Sequence, residues 1–313
     1  MSPISDGRQD SGAATSPSPP IEDVIVVGGG AAGLTAAIYL GRFRRRCRVV
    51  DAGDSRARWI PTSHNIPGFT AGVSGEEFLA ALKAQAIKFG AQLHAGSVMS
   101  LARHDEIFHV RTEQGTLRSR FVLLATGVKD HIPAIEGAQD AILRSLLRFC
   151  PICDAFEAID KRIAVIGDGA LGEREASFLR HYSERVTLLH IGALSDTSRR
   201  IQVLGLERIV IDLNQVRLFE DHIVLETLAG RREFDLAYIA LGCSAQNKMA
   251  LELHARCDEY GALQVNAHQE TTVPGLYAAG DVVRGLNQVV VAAAEAAIAA
   301  TDIHNKLRGA RPA

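Results

Sequence analysis

The first clear pattern along the chain is a continuous apolar run followed at once by a cluster of glycines. Residues 23–27 (Asp-Val-Ile-Val-Val) show no polar alternation, which predicts a strand buried on both faces of a parallel sheet. A glycine-rich turn at 28–33 follows, and the spacing of Ala, Leu and Ile over 34–42 predicts a helix packed on this sheet. A second strand at 47–51 ends in Asp51. This segment is therefore predicted to form a complete strand, turn, helix and strand unit.

A second copy of the same pattern begins about 140 residues after the first. Residues 162–166 predict a buried strand, and 167–172 (Gly-Asp-Gly-Ala-Leu-Gly) predict a second glycine turn. A helix is predicted over 173–181 and a closing strand over 185–190. Two such units in one chain are expected of a protein that binds two dinucleotides.

Two further apolar strands, 121–127 and 236–242, each end in a small residue and a glycine. They are predicted to mark where the chain leaves the first unit and where it returns to it. The predicted fold class is α/β, with two Rossmann-like, three-layer ββα dinucleotide-binding domains, the second inserted into the first. The predicted segments are a disordered tail at 1–20, a first domain at 21–127 and 243–313, and a second domain at 128–242.

The composition fits a globular enzyme and argues against several other classes of protein. The chain has 313 residues, enough for two domains, with 47% apolar and 22% charged residues. A formal net charge of −2, with one short basic cluster at 42–46, gives no basis for binding nucleic acid or an anionic membrane. The most apolar helix candidate, 289–300, is too short to span a bilayer and contains Glu295. The tail lacks the features of a secretory signal, so the expected location is cytoplasmic.

The first glycine turn has the residues that a bound pyrophosphate requires. Gly28 permits the tight turn, Gly30 lets the pyrophosphate approach the backbone, and Gly33 allows the helix to pack closely. The helix N-terminus presents unpaired N–H groups to the anion, and Asp51 can accept hydrogen bonds from ribose hydroxyls. A glycine turn can also be purely structural, but the surrounding strands and the acid favour a dinucleotide. The expected contacts in this segment are Gly28, Gly30, Ala32, Gly33 and Asp51.

The segment Cys150-Pro-Ile-Cys153-Asp154 carries the most specific chemistry. Two cysteines with two residues between them can close a small disulfide, and Pro151 suits the first turn of a helix whose N-terminus lowers a thiol pKa. Such a pair can open and close by thiol exchange, and Asp154 could pass a proton to or from the departing thiolate.

Two alternatives for this cysteine pair are a structural zinc site and a merely buried pair. A structural zinc ion needs four ligands, and the remaining cysteines supply no second pair at metal spacing. Those remaining cysteines, interpreted as small core residues, are Cys47, Cys243 and Cys257. No metal site is predicted.

The order of these motifs resembles that of the low-molecular-weight, bacterial-type thioredoxin reductases. The likeness covers residues 21–307, and the cysteine pair just before the second glycine turn is specific to this family. The motifs that carry the resemblance are 28–33, 65–68 (Asn-Ile-Pro-Gly), 125–127 (Ala-Thr-Gly), 150–154, 167–172 and 280–281 (Gly-Asp).

The resemblance implies FAD in the first domain and NADPH or NADH in the second. It also implies that Cys153 lies nearer the flavin than Cys150. A helix N-terminus at Gln288 and Val289, aimed at the flavin, would stabilise the negative charge of its reduced form. The further FAD contacts expected are Asn65, Ala125, Gly127, Gly280, Asp281, Asn287, Gln288 and Val289. The contacts expected for the second nucleotide are Gly167, Gly169 and Gly172.

The sequence departs from the family at two places. Thioredoxin reductases usually have His-Arg-Arg after the closing strand of the second unit, where the arginines hold the extra phosphate of NADPH. Here residues 190–192 are His-Ile-Gly, so the identity of the electron donor is open. Arg199 and Arg200 could replace the missing arginines. The usual Gly after Cys-x-x-Cys-Asp is Ala155, a change expected to be tolerated.

The leading hypothesis is a flavin-dependent reductase of an external disulfide, carried by either a thioredoxin-like protein or a small molecule. The family resemblance also implies a homodimer. The two domains are expected to rotate between a flavin-facing and a substrate-facing arrangement, with hinges near Gly127 and Gly242. The alternatives are a relative with a donor other than NADPH, an oxidase of a small dithiol that uses oxygen, and a flavin-binding redox sensor without turnover.

Overall fold

The computed structural model describes residues 20–192, 205–283 and 285–309. The predicted tail at 1–20 therefore lies, except for Pro20, outside the described residues, and so do Arg199 and Arg200.

The first glycine unit lies in a seven-stranded sheet. Its central strand, Ile21–Val27, pairs in parallel with Cys47–Asp51 on one side and with Gly115–Leu124 on the other. The order across the sheet is Gln92–Ala95, Cys47–Asp51, Ile21–Val27, Gly115–Leu124, Ile107–Thr112 and Val98–His104, with Leu276–Ala278 also paired to Gly115–Leu124. The last of these strands comes from the C-terminal part of the chain. The sheet is thus built from segments on both sides of the second glycine unit.

The central strand is buried on both faces, as its apolar run predicts. Val24 and Val26 pack in a cluster that includes helix residues such as Leu40 and Ala299. Ile25 and Val27 pack on the opposite face, in a separate cluster. A strand with two buried faces has no room for polar alternation, which explains the continuous apolar run.

The second glycine unit lies in a five-stranded parallel sheet covered by a small antiparallel one. The order of the parallel sheet is Glu207–Ile211, Val186–Ile191, Ile163–Gly167, Leu236–Ala240 and Leu147–Arg148. The antiparallel sheet consists of Val216–Leu218, Ile223–Thr227 and Gly230–Phe234, and its apolar side chains share one core cluster with the parallel sheet. This gives the α/β, two-unit architecture predicted from the sequence.

Two short strands connect the two units. Val128–Asp130 pairs antiparallel with Cys243–Ala245, so the outgoing and returning segments of the chain lie side by side. The Thr126 hydroxyl donates a hydrogen bond to the Gln246 carbonyl at 2.7 Å, which adds a further link at this crossing. The second unit is therefore inserted within the sequence of the first. The domain boundaries at 127 and 243 stay predictions.

The helices differ from the predicted ranges mainly at their N-termini. Within the described ranges the α-helices are Ala31–Arg42, Gly75–Lys88, Ala138–Leu143, Pro151–Asp154, Gly169–Leu179, Lys248–Glu252 and Val289–Leu307, and short 3₁₀ helices occupy Arg56–Trp59, Phe156–Ala158 and Leu213–Gln215. The predictions of 34–42 and 173–181 were wrong at their starts, since both helices begin inside the glycine motif. Glycine has low helix propensity, so composition alone conceals a first turn made of it. None of the described helices is long and apolar enough to cross a membrane.

The alanine-rich C-terminal helix, Val289–Leu307, packs closely on Ala31–Arg42. Its buried face consists largely of small residues, among them Ala292, Ala296 and Ala299. Small side chains let two helix backbones approach each other. This packing fixes the N-terminus of the long helix near the first glycine turn, where the functional site lies.

Candidate redox site

A cavity of about 520 Å³ extends from the first glycine turn to the Cys-x-x-Cys segment. It is lined by Gly30 and Asp51 at one end and by Cys150 and Cys153 at the other. The other predicted flavin contacts that line it are Gly28, Ala32, Asn65, Ala125, Gly127, Gly280, Asp281, Asn287, Gln288 and Val289. The fold thus brings five of the six motifs to one cavity, together with Asp51 and residues 287–289.

The glycine turn leaves an unshielded helix N-terminus facing this cavity. Gly28 has φ +107°, and a Cβ there would lie 2.3 Å from the Ala125 carbonyl oxygen. A Cβ on Gly33 would lie 1.9 Å from the Gly28 oxygen. Both positions therefore require glycine. Gly30 is the N-cap of helix Ala31–Arg42, where no side chain forms a capping hydrogen bond, so the first-turn N–H groups can bind an anion.

Asp51 holds the glycine turn from the end of the second strand. Its Oδ1 accepts hydrogen bonds from the Gly29 and Gly53 N–H groups, both at 3.1 Å. A Cβ on Gly29 would lie 2.3 Å from the Asp51 Cγ, so the carboxylate lies directly against the turn. An acid fixed in this position can accept hydrogen bonds from a ribose next to the pyrophosphate.

Asp281 is held at the opposite wall of the cavity by an arginine that the sequence analysis did not identify. The Arg56 Nη1 lies 3.2 Å from Asp281 Oδ2, and the Arg56 Nε and Nη2 donate to the two oxygens of Asp130 at 2.6 and 2.8 Å. The Glu295 carboxylate accepts a hydrogen bond from the Gly280 N–H at 2.7 Å. Burial raises the pKa of Asp281, and the Arg56 guanidinium opposes this effect.

The two cysteines of the Cys-x-x-Cys segment are joined by a disulfide, with their Cα atoms 5.2 Å apart. Pro151 occupies the first position of the short helix Pro151–Asp154, as expected for a residue without an N–H group. The two sulfurs are bonded to each other, which does not suit the zinc alternative. Within the described residues no cluster of three or more His, Cys, Asp or Glu side chains could hold a metal ion.

The disulfide contacts the N-terminus of the long C-terminal helix. Gln288, the N-cap of Val289–Leu307, places its Nε2 3.5 Å from the Cys150 Sγ and 3.3 Å from the Cys153 Sγ. The Oε1 of Gln288 accepts a hydrogen bond from the Asn65 Nδ2 at 3.0 Å. These contacts join the disulfide of the second unit to two predicted flavin contacts of the first.

Asp154 lies beside the second sulfur in a partly buried, hydrogen-bonded setting. The Tyr238 hydroxyl donates to its Oδ1 at 2.7 Å, and Arg148 Nη1 donates to its backbone oxygen at 2.9 Å. Burial raises the pKa of Asp154 above its ordinary value, although Arg148 and the Tyr238 hydrogen bond lower it. The nearby Glu157 adds to the increase. A carboxyl that retains its proton at higher pH is suited to protonate a leaving thiolate.

The second glycine turn lies outside this cavity and is arranged differently. The buried His190 side chain accepts a hydrogen bond from the Gly169 N–H at its Nε2, at 3.4 Å. The other ring nitrogen, Nδ1, lies 3.1 Å from the Gly192 oxygen. A histidine therefore occupies the place that Asp51 has in the first unit. Ile191 and Gly192 follow it without a charged side chain.

Comparison with known proteins identifies the family. The model of a family described as pyridine nucleotide-disulphide oxidoreductase matches residues 22–296. The thioredoxin reductase of Treponema pallidum is 30% identical over 89% of this chain and 94% of its own length. A bifunctional thioredoxin reductase/thioredoxin of Mycobacterium leprae is 30% identical over 90% of this chain and 65% of its own length.

The chain belongs to the pyridine nucleotide-disulphide oxidoreductase family. The relatives place it in the thioredoxin-reductase-like branch, so it is a flavin-dependent disulfide oxidoreductase that uses FAD and a pyridine nucleotide. A crystal structure of thioredoxin reductase from Streptococcus pyogenes has the same fold, with a TM-score of 0.84, 23% identity and coverage of 92% of this chain and 99% of that one.

The family's redox pair and first nucleotide motif are therefore brought together, while the second nucleotide motif is not part of the same cavity. Motif reading did not identify Arg56 or Tyr238, because each is an isolated residue whose partner is distant in sequence. The acid next to the cysteine pair, Asp154, indicates that a hydrogen-bond donor should lie nearby. That this donor is Tyr238 is visible only in the folded structure. The predicted tolerance of Ala155 has a structural basis, since its φ of −68° and ψ of −22° suit alanine.

Proposed function

We propose that this family member reduces an external disulfide, with electrons that pass from a pyridine nucleotide through FAD to the Cys150–Cys153 pair. The observation that carries the proposal is the contact of Gln288 with both sulfurs, at the N-terminus of a helix that also lines the cavity of the first glycine turn. A disulfide in this position is adjacent to the expected flavin ring.

The residues around the cavity fit FAD. The uncapped helix N-terminus after Gly30 suits its pyrophosphate, and Asp51 suits a ribose. Gly280 and Asp281 would hold the middle of the cofactor, and Asn65 and Gln288 its ring. The long cavity, rather than a compact one, suits a dinucleotide. When bound, FAD supplies two-electron transfer between the nucleotide and the disulfide.

The thiol chemistry that this chain would perform needs both cysteines and a proton. In the dithiol form the Cys150 thiolate attacks one sulfur of the external disulfide, whose S–S bond breaks as a mixed disulfide forms. The Cys153 thiolate then attacks the Cys150 sulfur, which restores the internal disulfide and releases the second external thiol. Asp154, whose pKa is raised by burial, would donate a proton to a departing thiolate. The assignment of Cys150 as the attacking residue rests on family analogy.

The acceptor that we propose is a thioredoxin-like protein, with a small disulfide as the alternative. The Mycobacterium leprae relative carries both names in one chain, which supports this choice. Ile152 and Phe156, which flank the second cysteine, are 55% and 73% exposed and would give a protein partner an apolar contact. A homodimer in the cytoplasm, without nucleic acid or membrane as partner, completes the proposal.

The disulfide packed against Gln288 cannot at the same time contact an external protein disulfide. We therefore propose two arrangements of the inserted unit, 128–242, relative to the unit formed by 21–127 and 243–313. The connecting strands Val128–Asp130 and Cys243–Ala245 lie where such a rotation would occur, beside Gly127 and Gly242.

A second candidate function is favoured by the second glycine turn. No arginine follows His190 at 191 or 192, so a donor other than NADPH could reduce the flavin. The same site could then run in reverse: a small dithiol would reduce the Cys150–Cys153 disulfide, and its electrons would pass through FAD to oxygen.

The proposal is tested by Cys150→Ser and Cys153→Ser, measured as turnover of a disulfide acceptor at equal flavin content. Each change should lower turnover at least about a thousandfold while FAD stays bound, because one cysteine must attack and the other must resolve. Cys257→Ser, outside the cavity, is the matched control and should leave turnover unchanged. Full activity in either Cys150 or Cys153 variant would contradict the proposed exchange.

A further inference from the structure

The Arg56 side chain joins a predicted flavin contact, Asp281, to the connecting strands. It lies in the short 3₁₀ helix Arg56–Trp59, which follows the first nucleotide unit's second strand. Its guanidinium binds Asp130 with two hydrogen bonds and Asp281 with one. Asp281 belongs to the flavin-binding unit, whereas Asp130 is the last residue of the outgoing connecting strand.

Asp130 is tied to the returning strand as well as to Arg56. It lies directly opposite Cys243 in the antiparallel pair. The next residue, His131, contacts the Leu241 oxygen through Nδ1 at 2.9 Å and the Ser244 hydroxyl through Nε2 at 2.7 Å. A displacement of Asp130 would therefore move both segments that connect the units.

Loss of the hydrogen bonds from Arg56 to Asp130 and Asp281 is expected to destabilise this arrangement strongly. The Arg56, Asp130 and Asp281 side chains are only 28%, 15% and 18% exposed. A paired Arg–carboxylate geometry with two parallel hydrogen bonds is strong and directional, more so when partly shielded from water. Removing the arginine would leave two partly buried carboxylates close together, and their repulsion would push the connecting strand away from the flavin-binding unit.

We infer that Arg56 is a latch: it holds the connecting strands in the arrangement that keeps the Cys150–Cys153 disulfide against the flavin site. This inference rests on the proposed function, because it assumes that the disulfide must leave that site to reach an external partner. Arg56 is a positioning residue, since it contacts Asp281 and Asp130 and neither sulfur.

The neighbouring ion pair provides a matched control. Lys129, one residue before Asp130 on the same strand, pairs with Asp54 at 3.3 Å, but the two side chains are 66% and 63% exposed. An exposed pair contributes little, so its loss should not change the arrangement of the units.

The test measures how fast iodoacetamide alkylates Cys150 in chemically reduced protein, followed by peptide mass spectrometry with Cys257 as internal reference. Arg56→Met and Asp130→Asn should each raise the Cys150 rate about tenfold, which corresponds to about 1.4 kcal/mol in the opening equilibrium. Both should slow electron transfer from reduced flavin to the disulfide. The double variant Arg56→Met, Asp130→Asn should show a lower Cys150 alkylation rate than Arg56→Met alone, because the repulsion between the Asp130 and Asp281 carboxylates is removed. Lys129→Met should match the wild type.

Asp130→Asn keeps the Arg56–Asp281 contact, so its FAD content should equal that of the wild type and separates the latch from simple loss of cofactor. An unchanged Cys150 rate in Asp130→Asn would overturn the inference. So would an equal increase at Cys257, which would indicate general unfolding. Failure of the proposed function would appear instead as absent electron transfer in the wild type, whatever the alkylation rates of the variants.

Discussion

The two glycine turns of this chain share the same order of strand, turn and helix but have different surroundings. In the first, the strand beside the turn ends in Asp51, which accepts a hydrogen bond from the Gly29 N–H and leaves the helix N-terminus open to a large cavity. In the second, the corresponding strand ends near His190, whose ring accepts the hydrogen bond of Gly169. In the first unit Asp51 binds an N–H that precedes the N-cap Gly30, so the first-turn N–H groups of the helix stay available to an anion, whereas in the second unit His190 accepts from Gly169, the first residue of its helix.

The helices that follow the two turns differ in their acidic residues. Ala31–Arg42 contains no acidic residue. Gly169–Leu179 contains Glu173, which is fully buried and paired with Arg208 at 2.6 Å, and Glu175, whose Oε2 is buried without a hydrogen-bond partner among the described residues. Neither acid lies in the first turn of Gly169–Leu179, so the side chain beside each turn, Asp51 or His190, is the main difference between the two sites. A glycine motif therefore predicts a turn, while the residues around it decide what the turn binds.

The largest expected difference between the two glycine turns is the effect of a side chain placed in each of them on FAD binding. Gly30→Leu should weaken FAD binding about 100-fold or more, equivalent to about 2.7 kcal/mol, because the side chain would enter the cavity. The fold should survive, since a Cβ at Gly30 meets only the Ser55 hydroxyl at 3.2 Å. Gly169→Asn, which tolerates the positive φ of +48°, should leave FAD binding unchanged. Flavin content after dialysis, with calorimetric Kd values, checks both; equal FAD affinity in the two variants would refute the assignment.

A smaller loss of FAD affinity, again at the first glycine turn, is expected from Asp51→Asn. The charge-assisted hydrogen bonds of the carboxylate to the Gly29 N–H and to a ribose would be replaced by weaker ones. Affinity for FAD should fall about tenfold, as expected for loss of a contact worth about 1.5 kcal/mol. Titration of apoprotein with FAD, followed by flavin fluorescence, gives the value. Unaltered affinity would mean that Asp51 serves the turn alone.

The second turn should show little preference between the two nicotinamide nucleotides. Residues 190–192 offer neither an arginine for the NADPH phosphate nor an acid for the NADH ribose. Ile191→Arg should increase the rate of anaerobic flavin reduction by NADPH about tenfold relative to NADH. It is preferable to Gly192→Arg, because Gly192 has φ +75° and a side chain there is strained. Rapid, saturable reduction of the wild type by micromolar NADPH alone would show this prediction to be wrong.

The smallest effect concerns the carboxyl of Glu175 in the second helix. Burial raises its pKa from 4.5 to about 7. The folded state thus retains a proton that the unfolded state has already lost, and stability should decrease as pH rises from about 4.5 to 7. Glu175→Gln should remove this slope and raise the free energy of unfolding by about 1 kcal/mol at pH 8, with little change at pH 4.5. Urea unfolding of both proteins at the two pH values measures the difference.

The sequence predicts the periodic and clustered features of this protein well. The buried strand at 23–27, the two glycine turns and the Cys-x-x-Cys pair depend on neighbouring residues, so their patterns are visible in one dimension. Helix starts at Ala31 and Gly169 were missed because a turn of glycines does not have a helical composition.

Contacts between distant residues could not be read in this way. Arg56 and Asp130 are 74 positions apart, and Tyr238 and Asp154 are 84 apart. Each pairing depends on where the fold returns the chain, and a single arginine or tyrosine has no pattern around it. The hydrogen bond from the Gly169 N–H to His190 could not be predicted either. The family pattern includes a histidine at this position, but it does not show what the ring contacts.

A flavin bound in the first cavity should exchange electrons with the Cys150–Cys153 disulfide. This exchange is tested most directly by anaerobic titration of the FAD-bound protein with dithionite, followed by the flavin absorbance. The wild type should consume two electron pairs per chain before the flavin is fully bleached, one for the disulfide and one for the flavin. The double variant Cys150→Ser, Cys153→Ser should consume one. A single electron pair in both proteins would show that no electrons pass between the flavin and the disulfide, and would contradict the proposed electron path.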